Sequence, residues 1–168
     1  LTFTGSGAFQ GIGNSLANVM RGGAGADTLY GEQGNDLLEG GAGADLIDGQ
    51  WGDDTVEGGA GADSLYGFDG RDSILGGDDN DFLAGWEGED TLSGGAGADT
   101  LVGQIGNDVY LVDSVGDQVV EAAGGGTDEV RTALGSYTLG SEIEHLTFTG
   151  AGAFQGIGNS LANRLSGG

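Results

Sequence analysis

Ten aspartates recur at intervals of nine residues: Asp27, Asp36, Asp45, Asp54, Asp63, Asp72, Asp81, Asp90, Asp99 and Asp108. Carboxylates spaced so evenly do not read as catalytic. A glycosidase-type pair needs two carboxyls in different environments, one acid and one base or nucleophile, whereas these ten stand in near-identical sequence. What a series of equivalent carboxylates does well is hold a hard cation. The chain has no Cys and one His, His145, so zinc or copper would lack its customary ligands. A set made only of oxygens suits calcium, which takes about six to eight of them in flexible geometry, while magnesium demands a tight octahedron and keeps its water.

The elements that must position these carboxylates follow from the same period. Counted in nines from Gly22, the chain gives ten in-register units ending at Leu111. Position one is glycine throughout: Gly22, Gly31, Gly40, Gly49, Gly58, Gly67, Gly76, Gly85, Gly94 and Gly103. Position four is also glycine, at Gly25, Gly34, Gly43, Gly52, Gly61, Gly70, Gly88, Gly97 and Gly106, with Asp79 the exception. Position eight is large and apolar, from Leu29 and Leu38 to Leu101 and Tyr110. Position two alternates between glycine and Glu32, Gln50, Phe68, Trp86 or Gln104, so the true repeat is eighteen residues with two kinds of half-turn.

Eighteen residues make a coil of two short strands and two turns, with glycine turns stacked along one edge and varied turns along the other. Side chains alternate along a strand, so position eight alone need point inward, and stacked coils align these residues into aliphatic ladders. Parallel strands about 4.8 Å apart would satisfy the backbone between coils. We expect a six-residue turn and a three-residue strand in each unit. Glycine lets turn carbonyls crowd toward one centre, and the aspartate adds a charged oxygen. Turns adjacent on one edge would then share an ion, pairing Asp27 with Asp45 and Asp36 with Asp54. Asp79 is expected to distort the two sites that share Asp81 without abolishing them.

The chain divides as follows. Residues 1–21 read as degenerate leading coils, with Asn18 in phase at position six. Residues 22–111 are the regular array. Residues 112–145 read as an irregular β cap with Asp117 and Asp128 at position six, the latter after a two-residue insertion. Residues 146–168 repeat residues 1–23 with 19 of 23 positions identical, and Gly167 with Gly168 would open another array. The start at Leu1 without a leader reads as a piece excised from a longer tandem protein.

Charge narrows the partners. The net charge is −23, with 27 acidic residues against four Arg and no Lys, so neither nucleic acid nor an anionic membrane is an expected partner. No apolar run reaches spanning length, so membrane insertion is not expected either. No HExxH, GxSxG or phosphate-loop lysine occurs, and an enzyme is not expected. Trp51, Phe68 and Trp86 lie in or beside the varied turns. They read as aromatic cover over those turns, or alternatively as a glycan- or partner-binding stripe. His145 beside Glu144 reads as structural, and Arg71 as relief of local negative charge. One inward side chain per nine glycine-rich residues is a thin core, so folding is expected to depend on calcium.

The units resemble the GGxGxDxUx nonapeptides of the RTX (repeats-in-toxin) family. That resemblance implies a right-handed parallel β-roll with calcium held between turns i and i+2. It implies ligation by the ten position-six aspartates and by the carbonyls of the glycines named above, with weaker sites at Asn18, Asp117 and Asp128. Four gaps on each edge give about eight ions. It further implies type I secretion, folding outside the cell, and a non-catalytic calcium-binding module acting as an extender or adhesin-like stalk. The alternative is an accessory polysaccharide-binding or folding module of a secreted enzyme; a calcium buffer or mineral nucleator is a third reading.

Overall fold

A coil that returns to the same place every eighteen residues sets each strand beside its own equivalent. The computed structural model describes residues 1–167, and in it this stacking is regular; Gly168 lies outside the described residues. Among the described residues there are eighteen strands and no helix. They are β1 Gln10–Asn14, β2 Val19–Ala24, β3 Thr28–Gln33, β4 Leu37–Ala42, β5 Leu46–Trp51, β6 Thr55–Ala60, β7 Ser64–Asp69, β8 Ser73–Asp78 and β9 Phe82–Glu87. There follow β10 Thr91–Ala96, β11 Thr100–Ile105, β12 Val109–Val112, β13 Gln118–Val120, β14 Glu129–Thr132, β15 Ser136–Thr138, β16 His145–Phe148, β17 Gln155–Ile157 and β18 Arg164–Ser166. Odd strands β1 to β13 form one parallel sheet, even strands β2 to β18 a second, and β15 pairs β17 in a third. This is the expected all-β parallel solenoid, with Leu29 beside Ile47 and Leu38 beside Val56 at eighteen residues per coil.

The inward ladder is the core. Met20, Leu29, Leu38, Ile47, Val56, Leu65, Ile74, Leu83, Leu92, Leu101 and Tyr110 are each at most 1 % exposed. Both sheets contribute, and one side chain per unit spans the interior, as alternation along the strand requires.

The division of each unit differs from expectation. Strands β2 to β11 run six residues, not three, because positions one to three stay in the ladder: Gly23 pairs Gly41 and Ala24 pairs Ala42. A coil lies above and below each of these amides, so leaving the ladder early would strand buried donors. The turn shrinks to positions four to six.

The bend this demands falls at position two. There Glu32, Gln50, Phe68, Trp86 and Gln104 take left-handed φ between 75° and 80°, where glycine stands in alternate units. Non-glycine residues in that region cost about 1–2 kcal/mol. Replacing Glu32 with glycine is therefore expected to stabilise the calcium-loaded protein by about 1 kcal/mol, read as a raised thermal midpoint; an unchanged or lowered midpoint contradicts this.

Beyond the array the register loosens. The amide of Asp108 reaches Asp128 over 20 residues, and that of Asp128 reaches Glu144 over 16. The irregular segment covers the last regular coil without ending the stack, since β14 lies between β12 and β16. The two copies of the repeated segment fold alike. Thr2 bridges Arg21 as Thr147 pairs Ser166. Phe3 stacks on Phe9 at 5.1 Å between ring centres, and Phe148 on Phe154 at 4.6 Å.

Candidate metal centre

The two edges of the solenoid each carry a continuous file of carboxylates. All ten position-six aspartates are buried, at 1–4 % exposure. One oxygen of each is taken by the backbone. The amide of Asp27 donates to Asp45 Oδ1 at 2.8 Å, Asp45 to Asp63 at 2.8 Å, Asp63 to Asp81 at 2.9 Å and Asp81 to Asp99 at 2.8 Å. On the other edge, the same bond of 2.8 Å joins Asp36, Asp54, Asp72, Asp90 and Asp108 in turn. The second oxygen, Oδ2, is buried and has no hydrogen-bond partner at any of the ten. A buried carboxylate oxygen left unpaired is costly, and ten in register point to a common ligand.

Glycine at position one is explained by that oxygen. A Cβ on Gly22 would collide with Asp27 Oδ2 and lie 2.6 Å from the carbonyl of Gly40 in the next coil; on Gly40 it would collide with Asp45 Oδ2 and lie 2.7 Å from the carbonyl of Gly58. Main-chain and side-chain oxygens therefore converge at Gly22, Gly31, Gly40, Gly49, Gly58 and Gly76. At position four, the carbonyls of Gly25, Gly34, Gly43 and Gly52 accept no backbone hydrogen bond among the described residues, while their amides bond Ala42, Trp51, Ala60 and Asp69 of the next coil. Gly40→Ala is expected to destabilise the calcium-loaded roll by about 3 kcal/mol. Chemical denaturation in saturating calcium measures this, and a loss below about 1 kcal/mol would show that the turn has room to spare.

Burial sets the electrostatics. It pushes the carboxyls of Asp54, Asp63, Asp90 and Asp108 up to about 6 and those of Asp72 and Asp81 up to about 7. The neighbouring amide opposes the shift; adjacent carboxylates at Asp54, Asp63, Asp72, Asp81 and Asp108 add to it. Asp45 and Asp99 are raised for the same first reason. Three ion pairs occur among the described residues, all between groups open to solvent: Arg21 with Glu39, Arg71 with Glu89, and Arg131 with Glu129. None touches the files. Arg71 does meet acidic neighbours, at 3.3 Å from Glu89, but an exposed pair of this kind adds little stability.

The outlying candidates differ from the ten. Asn18 donates its side-chain amide to Asn14, Leu16 and Asp36. Asp117 accepts from Asp99 through one oxygen and from Asp113 and Ser114 through the other, so both are used. Asp128 is buried, in line after Asp108, and raised to about 6, chiefly by burial. Two residues of the files had no sequence signal. Glu144 takes the place of a position-six aspartate by accepting from the Asp128 amide at 2.9 Å. Glu121 brings a carboxylate oxygen within 4.8 Å of those of Asp108 and Asp128. Glu144 is out of phase after the insertion, and Glu121 falls in phase but at position one, where the array has glycine. At Asp79 a left-handed φ of 76° replaces that of glycine, and the file passes through Asp81 unbroken. Around it the turn bond from Gly61 to Asp78 lengthens to 3.2 Å, and among the described residues no bond from Asp79 to Ala96 continues the series.

The aromatic residues separate. Phe68 and Trp86 stack with ring centres 5.5 Å apart, covering adjacent coils. Trp51, 51 % exposed, borders an open groove of about 390 Å³ lined by Asp48, Gln50, Phe68 and Asp69.

Unpaired buried oxygens, converging carbonyls and no nitrogen or sulfur donor fit a hard, oxygen-loving divalent cation. The files fit calcium by the chemistry of the donor set. Fold and site together define a parallel β-roll of the calcium-binding kind. Four copies of the RTX calcium-binding nonapeptide repeat match residues 12–47, 48–83, 76–110 and 85–119, well over half of the sequence, and the chain belongs to that family. No curated protein sequence matches it.

Proposed function

We propose that this chain is a non-catalytic structural module of a secreted or cell-surface protein that folds when calcium fills its turns. The ten position-six aspartates supply Oδ2, and the glycines at positions one and four supply carbonyls. Calcium neutralises the files and ties each coil to the next. The observation that carries this reading is the row of buried, unpartnered Oδ2 atoms. A stiff stack of this sort serves as an extender or adhesin-like stalk, and the family's habit of secretion supports an extracellular setting, where calcium is plentiful. Calorimetric titration followed in parallel by circular dichroism tests it. We expect about eight ions bound together with the rise of the strand signal; strand content independent of calcium would sink it.

The groove beside Trp51 favours a second reading, an accessory module that touches polysaccharide. An exposed indole flanked by Asp48 and Asp69 offers a stacking face and polar groups for sugar hydroxyls. A glycan array probed in calcium separates the two: a specific hit abolished by Trp51→Ala supports the accessory module, and no hit supports the stalk.

A further inference from the structure

Where the regular array gives way to the longer coils, the file on the varied edge changes its chemistry. The step from Asp108 to Asp128 spans 20 residues. Counting in nines, position one of the lengthened coil is Glu121, where every unit of the array has glycine. Its side chain turns inward. Asp108, Glu121 and Asp128 each bring one carboxylate oxygen within 4.8 Å of the others.

Independent of that clustering, Asp108 Oδ2 is buried without a partner, on a residue 1 % exposed. It is aimed at the space over Gly103, which Glu121 Oε1 and the Tyr110 hydroxyl also face. Glu121 is held there by two donors: the Tyr110 hydroxyl bonds Oε1, and the Ala122 amide bonds Oε2 at 2.9 Å. Tyr110 is the one aromatic residue at position eight of the array, and its length is what reaches Glu121. None of the three carboxylates joins a salt bridge among the described residues.

We propose that Glu121 is a third carboxylate ligand in this gap and makes it the tightest calcium site of the roll. An ordinary gap offers two aspartates, whereas this one offers three carboxylates, and calcium affinity rises with ligand charge. Pre-orientation by Tyr110 and Ala122 lowers the cost of ordering the added ligand. Glu121 and Asp128 both lie beyond residue 119, where the family match ends, so the repeat itself does not provide them. The inference rests on the calcium reading above.

The experiment compares calcium isotherms of the wild-type chain and Glu121→Gln, which keeps the shape and removes the charge. Expected is a loss of about tenfold or more in the tightest class of sites, with the remaining sites and the strand content at saturation unchanged. Superimposable isotherms overturn the proposal. Should the variant not fold, anomalous scattering from wild-type crystals grown with a lanthanide decides. A peak touching all three carboxylates supports it; a peak touching only the two aspartates, or none in this gap, overturns it. A wild-type chain that takes up no calcium overturns the roll reading itself, which the variant comparison would not do.

Discussion

Stripping calcium at pH about 7.5 with excess chelator is expected to unfold the roll, with the strand signal in circular dichroism lost and the hydrodynamic radius rising. The reason lies in what the metal-free fold would have to tolerate. Among the described residues the Oδ2 atoms of the ten position-six aspartates are buried without a hydrogen-bond partner, and the chain carries a net charge of −23. An unpaired buried acceptor costs about 1–3 kcal/mol, more when charged, so the ten together exceed the total stability of an ordinary domain. The core gives little back, because it is one side chain per nine residues, with Leu29, Ile47 and Leu65 laddered on one sheet facing Leu38, Val56 and Ile74 on the other. Calcium removes the penalty by occupying the sites, and its binding energy becomes folding energy. Retention of the strand signal in chelator, at unchanged thermal midpoint, would refute this.

Acid is expected to do part of what calcium does. Burial raises Asp54, Asp63, Asp90, Asp108 and Asp128 to about 6, and Asp72 and Asp81 to about 7. A carboxyl whose folded value lies above its unfolded one binds more protons when folded, so the metal-free roll loses stability as pH rises. The contribution is fully present below the unfolded value near 4 and disappears as pH climbs through about 6 to 7. Keeping one such carboxyl ionised in the metal-free fold costs about 3 kcal/mol near neutrality, and coupling between stacked neighbours prevents simple addition. Metal-free protein prepared by dialysis is therefore expected to gain strand content as pH falls from about 7.5 to about 4. Calcium-saturated protein should do the reverse, because protons compete with the metal for the same oxygens. Both series are read by circular dichroism across pH; a metal-free chain more structured at neutral pH than in acid would contradict the burial of these groups.

Much of this was legible in the residues, and unevenly so. The period of eighteen is arithmetic: once Leu29 must sit over Ile47, every contact at that spacing follows, and so do the two files of aspartates. The length of the strands was not legible. Glycine at positions one and two looks like turn, yet Gly23 and Gly41 pair in the ladder, because amides enclosed between two coils gain more from bonding than glycine loses in freedom. Nor could the spacing divide the labour within each carboxylate, where one oxygen accepts from the coil before and the other is left for a ligand.

Residue order alone settles the coil, its inward apolar ladder and the side chains that face each turn, since in-register parallel stacking turns chain separation directly into spatial neighbourhood. What happens after residue 111 is settled in three dimensions. There the two-residue insertion read in the sequence makes one offset 20 and the next becomes 16, and Glu121, standing at a glycine position, and Glu144, which is off the count, join files that aspartates began. An inserted residue erases the arithmetic while the hydrogen-bonding demands of the neighbouring coil persist, and the chain meets those demands with whichever carboxylate can reach.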